Sequence, residues 1–118
     1  MKVRDSVVLI SGANRGLGRA WARLLLEAGA RKVYAGARDP CGIDLPGVIP
    51  LELDITRPEQ VRRAAAECGD VTLLVNNAGI VRGGHVFDDE AVDRARQELE
   101  TNLFGTLAMC RAFAPILG

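Results

Sequence analysis

The chain has 118 residues, enough for one folded unit and too few for two, with 48% hydrophobic and 25% charged residues, and its fifteen basic side chains balance its fifteen acidic ones. It holds no block of like charges and no apolar run near the ~18 residues of a membrane span, which argues against a nucleic-acid track, a membrane-surface helix or a membrane-crossing segment. Small molecules or other protein are therefore the expected partners. Met1 to Asp5 lead straight into the first strand without a secretory core, so the cytoplasm is the expected location. Cys41, Cys68 and Cys110 are odd in number and lack C-x-x-C spacing, and read as structural or incidental thiols rather than disulfides or zinc ligands.

In chain order, Ser6 to Ser11 reads as a strand. Gly16 to Ala28 follows as a helix with Leu17, Ala20, Trp21, Leu24 and Leu25 on its apolar stripe, closed by Gly29 as a C-cap. Lys32 to Ala37 is a second strand, Asp39 to Gly47 a loop with two prolines and two glycines, and Val48 to Asp54 a third strand. A second helix opens at Thr56-Arg57-Pro58-Glu59, where Thr56 can cap the backbone and Glu59 reach back to it, and ends near Cys68-Gly69. Val71 to Asn76 is a fourth strand. From about Asp89 a last helical stretch carries Leu99, Leu103, Thr106, Leu107, Cys110, Phe113 and Ala114 at spacings of three and four. Strands alternating with helices predict an α/β fold with a doubly wound parallel sheet. Ligands of such sheets bind beyond the C-terminal strand ends, and the unusual residues of this chain all sit there.

The first of these is Ser11 to Gly18, SGANRGLG. Its glycines, Gly12, Gly16 and Gly18, follow a G-x-x-x-G-x-G spacing that lets the chain turn out of the strand and lets backbone N–H groups approach a pyrophosphate. A structural strand-to-helix turn is the plainer reading of the glycines alone. Taken with Asp54-Ile55-Thr56 after the third strand and Asn76-Asn77-Ala78-Gly79 after the fourth, the chain resembles the short-chain dehydrogenase/reductase family, of the single-domain type, from Val7 to Pro115. The resemblance implies a Rossmann-type sheet of order 3-2-1-4, continued in the family by three more strands. It also implies a dinucleotide site made of Gly12, Asn14, Arg15, Gly16, Leu17 and Gly18 at the pyrophosphate, Asp54 and Ile55 at the adenine, and Asn77, Ala78 and Gly79 at the adenosine ribose.

An NAD-preferring site ends its second strand with a carboxylate that accepts from the ribose 2′-hydroxyl. Here Ala37 stands in that place and Arg38 follows, while Arg15 matches a second basic position of NADP-preferring family members. Alanine leaves room for a 2′-phosphate and two guanidiniums can hold it, which makes NADP(H) the better fit, ahead of NAD(H). Either arginine alone reads equally well as a surface charge, so their joint position carries the expectation.

The family's proton relay uses a tyrosine, a lysine four residues later and a serine. Tyr34 lies inside the second strand with Arg38 as its fourth neighbour, the lysines are Lys2 and Lys32, and the serines are Ser6 and Ser11, so none of these is placed for that role. Asn102, in ETNLFG, matches the family's catalytic asparagine, which kinks its helix and holds a water leading to the lysine. His85, in a glycine-rich loop, reads as a solvent-facing residue rather than a general base. The expected unit is thus the cofactor-binding half of an oxidoreductase that moves a hydride between nicotinamide and a carbonyl or alcohol substrate, ending before the family's serine and Tyr-x-x-x-Lys segment and silent when alone. The resemblance implies a homodimer or homotetramer for the complete protein, and a non-catalytic nucleotide-binding module is the alternative.

Overall fold

A computed structural model describes residues 2–118. Its centre is β1 (Val7–Ser11), in which every residue is buried because both faces are covered. Alternation along the strand divides the core: Val7 and Leu9 join Leu53, Val61, Cys68, Met109 and Phe113 on one face, while Val8 and Ile10 join Ala22, Leu25, Val33 and Ala35 on the other. β1 pairs in parallel with β2 (Lys32–Ala37) and β4 (Leu73–Val75), and β2 pairs with β3 (Ile49–Glu52), giving the order β3-β2-β1-β4. This is the expected doubly wound arrangement. β3 and β4 are shorter than their sequence patterns because the flanking residues leave the ladder to build loops.

Helix α1 (Gly16–Glu27) ends as expected, with Gly29 at φ +96° just beyond it. Its buried face differs from the expected stripe. Gly18, Ala22 and Leu25 meet the sheet, while Leu17, Trp21 and Leu24 are 67%, 44% and 52% exposed. The helix approaches β1 too closely for large side chains at its first turns, so small residues hold the contact face.

Helix α2 (Pro58–Glu67) corrects the expected cap. Arg57 occupies the N-cap without a side-chain hydrogen bond, and Thr56 turns away from the helix to donate its hydroxyl to Asp54 at 2.6 Å. Pro58 does begin the helix, where its missing donor costs nothing.

The last stretch is not one α-helix. Helix α3 (Ala91–Leu99) passes into a π-helical turn, Glu100–Gly105, and then into α4 (Thr106–Leu117). A π turn inserts an extra residue and rotates everything beyond it, which is why the apolar stripe read at constant spacing fails. Gly105, Met109 and Phe113 form the buried face, while Leu99, Leu103 and Leu107 are about half exposed and Cys110 is exposed. A Cβ on residue 105 would stand 2.7 Å from Cγ1 of Ile55, so glycine is what lets the π turn lie on that residue. Among the described residues no helix is long and apolar enough to cross a membrane.

Candidate functional site

The C-terminal ends of the strands open into a cleft of about 680 Å³. Of the residues expected there, Gly12, Asn14, Arg15, Gly16, Arg38, Asp54, Ile55, Asn77, Ala78 and Gly79 line it. Leu17 does not, since it faces solvent, and Gly18 is buried beneath the loop.

The floor of the cleft is a set of close approaches between backbone segments. The Asn77 side-chain amide donates to the Gly12 carbonyl at 3.0 Å. Gly18 packs under both: a Cβ there would collide with the Gly12 carbonyl and lie 2.5 Å from the Asn77 amide nitrogen. Ser11, set aside in the sequence as misplaced for catalysis, supplies the fastening. Its buried hydroxyl accepts from the backbone N–H of Asn77 at 3.1 Å and of Ala78 at 3.0 Å, joining the end of β1 to the segment after β4. A serine ending a buried strand, facing a second strand that ends in Asn-Asn, was the signal for this role.

Above that floor the donors are open. Helix α1 begins just beyond Arg15, whose side chain makes no cap hydrogen bond, and has no acidic residue in its first turn, so its first backbone N–H groups have neither helical acceptor nor carboxylate. Gly16 adopts φ +58° with open space where a Cβ would stand. An exposed helix N-terminus facing a glycine-walled cleft attracts anions, and its dipole adds roughly half a positive charge. The fit to a pyrophosphate is good.

At the other wall Asp54 uses one carboxylate oxygen, Oδ1, for both the N–H and the hydroxyl of Thr56. The Gln60 side chain accepts from the Asp54 backbone at 2.7 Å, a fastening no sequence motif announced. Oδ2 has only Arg57 at 3.8 Å, so one acceptor of this cleft-lining residue makes no hydrogen bond among the described residues. Burial pushes the Asp54 carboxyl up, but the Thr56 hydrogen bonds and the Arg38 and Arg57 charges outweigh it and hold the group below its usual value. The carboxylate is therefore ionised at neutral pH.

Asn102 lies in the π turn, outside the cleft lining. Its amide makes a two-point contact with one residue, donating to the Ile80 carbonyl at 2.7 Å and accepting from the Ile80 N–H at 2.8 Å. The side chain thereby fixes the path of the chain just beyond Gly79. The helix distortion expected around it is present as the π turn.

Tyr34 belongs to the opposite end of the sheet. Its hydroxyl donates to Asp70 at 2.9 Å, and Lys32 bonds to both Asp70 and Tyr34. Burial and the Asp70 contact push the hydroxyl above its usual value, the reverse of what a proton-exchanging tyrosine needs. His85 faces solvent outside the cleft, its Nδ1 accepting from the Phe87 N–H at 3.2 Å. Among the described residues no cluster could hold a metal.

The sequence pattern of the short chain dehydrogenases matches residues 6–118. The chain belongs to the short-chain dehydrogenase family. Family members are oxidoreductases acting on small molecules. Among curated relatives, dehydrogenase/reductase SDR family member 7B of Bos taurus is 35% identical, the match covering 98% of this chain and 41% of the relative. The 3-ketodihydrosphingosine reductase of Bacteroides thetaiotaomicron is 32% identical over 98% of this chain and 43% of its own. The chain thus spans about two-fifths of the length of these relatives. Among solved structures, a short chain dehydrogenase from Burkholderia cenocepacia in complex with NADP is 49% identical with a TM-score of 0.93, covering 99% of this chain and 50% of that one. Ligand-free aldohexose dehydrogenase of Thermoplasma acidophilum is 30% identical with a TM-score of 0.85, over 98% and 45%.

Proposed function

We propose that this chain is the cofactor-binding half of an NADP(H)-dependent oxidoreductase that moves a hydride between nicotinamide and a carbonyl or secondary alcohol. The observation that carries the cofactor choice is the end of β2. Ala37 is buried there with no carboxylate to meet a ribose 2′-hydroxyl, and Arg38 and Arg15 line the cleft with no ion-pair partner among the described residues. The complex of the Burkholderia relative with NADP supports the same choice.

In this reading the open N–H groups at the start of α1 hold the pyrophosphate, Arg15 and Arg38 the 2′-phosphate, and Asp54 Oδ2 accepts from the adenine amino group. Ala78 and Gly79 border the ribose on a segment that Ser11, Asn77 and Asn102 keep in place. When bound, the nicotinamide supplies the hydride chemistry. Asn102, the catalytic asparagine by family resemblance, acts here on the main chain at Ile80. Exposed Leu99, Leu103, Phe104 and Leu107, from the end of α3 through the π turn to α4, support a homodimer or homotetramer.

The test is a pair of titrations. Arg38→Asp weakens NADPH binding about tenfold or more, as expected for losing a charge-assisted hydrogen bond and adding a like charge, and leaves NADH binding nearly unchanged. Equal losses for the two nucleotides contradict the assignment.

A further inference from the structure

We propose that Arg82 and Arg96 form a second anion-binding wall of the cleft and hold the pyrophosphate from the side opposite the glycine loop. This inference rests on the dinucleotide reading above. The charge balance raises the question. Four arginines line the cleft, Arg15, Arg38, Arg82 and Arg96, against two carboxylates, Asp54 and Glu100, in a chain whose formal net charge is zero. Positive charge is therefore concentrated at this cleft, and a 2′-phosphate between Arg15 and Arg38 accounts for only half of the guanidiniums.

Neither Arg82 nor Arg96 has a carboxylate partner among the described residues, and both are exposed. Arg94, on the same helix as Arg96, shows the contrast: it is paired with Asp88 at 2.8 Å and Glu90 at 3.8 Å and lies away from the cleft, against the loop around His85. Helix α3 thus spends one arginine on holding its own loop and leaves the other for the cleft.

The backbone carrying Arg82 is anchored. Two residues earlier Ile80 is held at both polar atoms by Asn102, and the Arg82 N–H itself donates to Glu98 at 2.6 Å. Arg82 is thereby tied to the helix that bears Arg96. The pair comes from the β4–α3 side of the cleft, whereas the glycine loop, Arg15 and Arg38 come from the β1 and β2 side. A pyrophosphate on the glycine loop meets neutral N–H donors and a partial helix charge on one side. Two exposed, unpaired guanidiniums from the β4–α3 side supply the full charges that a diphosphate calls for, in the forked geometry that suits phosphate oxygens.

The experiment measures dissociation constants of NADPH and NADH for the wild-type chain, Arg82→Gln, Arg96→Gln and the corresponding lysine variants. Each glutamine variant is expected to weaken both nucleotides about tenfold and to the same degree, because both carry the pyrophosphate, and each lysine variant to recover part of the loss. Melting temperatures should stay at the wild-type value, since neither side chain is buried or paired. Unchanged affinities for both nucleotides would overturn the proposal. A loss confined to NADPH would also overturn it, by moving the two arginines to the 2′-phosphate. Failure of the wild-type chain to bind either nucleotide would instead remove the reading it rests on, and is seen before any variant is compared.

Discussion

The two ends of the sheet carry polar clusters of opposite character. At the N-terminal end of the strands, Lys32, Tyr34 and Asp70 satisfy one another, leaving each polar group with a partner within the cluster. At the C-terminal end the arrangement is inverted: Ser11, Asn77 and Gln60 bond to the backbone, Thr56 donates its hydroxyl to Asp54 Oδ1, and what remains open is the start of α1, the other oxygen of Asp54 and the unpaired arginines. A tyrosine beside a lysine looks like chemistry and turns out to be a fastening. The glycines look like a mere turn, yet they wall the part of the molecule with unmet hydrogen-bonding capacity. Unsatisfied groups held in place by satisfied ones distinguish a binding site from a structural cluster.

The sharpest way to break this contrast is at Gly18. Gly18→Ala drives a methyl into the Gly12 carbonyl and the Asn77 amide, and should cost about 3 kcal/mol in a urea denaturation series together with nucleotide binding. Ser11→Ala strips the acceptor from two backbone N–H groups at once and should cost about 2 kcal/mol, with a loss of nucleotide affinity that a remote change of equal cost does not produce. At the other end, Tyr34→Phe should cost about 1 kcal/mol or less and leave NADPH affinity at the wild-type value. Asp54 links the ends of this scale to pH. Its carboxyl titrates below the usual carboxylate value, so its contribution is complete above that value and is lost as pH falls through the lowered one. Thermal melts of the wild type and Asp54→Asn should therefore differ at neutral pH and converge in acid. The smallest effect concerns the thiols: burial pushes Cys68 up to about 11, and alkylation of the native chain should label Cys41 and Cys110 but spare Cys68.

The strand–helix alternation and the cleft at the strand ends were legible because apolar runs and glycine-rich turns are local patterns with few physical solutions, whereas the sheet order came from the family resemblance that the glycine spacing and the Asn-Asn-Ala-Gly turn carry. Features that depend on a distant partner were not legible. Ser11 gains its role only once β4 lies beside β1, and Thr56 leaves the cap because both its N–H and its hydroxyl donate to the Asp54 carboxylate. Leu17, Trp21 and Leu24 follow the periodicity of a buried stripe, but the close approach of Gly18 to Gly12 turns the smaller residues inward. The π turn at Glu100–Gly105 displaced the last apolar stripe, and Asn102 and Gly105, three and six residues beyond the end of α3, marked where constant spacing would break. The same turn carries Thr101 to the cleft alongside Arg96, Gln97 and Glu100, a polar wall readable from the three- and four-residue spacing of helical neighbours but not singled out by any motif.

The account stands most directly on a calorimetric titration of the wild-type chain with NADPH and with NADH. It predicts saturable binding of both, with NADPH tighter by about tenfold or more through the Arg15 and Arg38 guanidiniums. Absence of binding at millimolar nucleotide would contradict the cleft as a dinucleotide site, and equal affinity for the two nucleotides would contradict the role given to the end of β2.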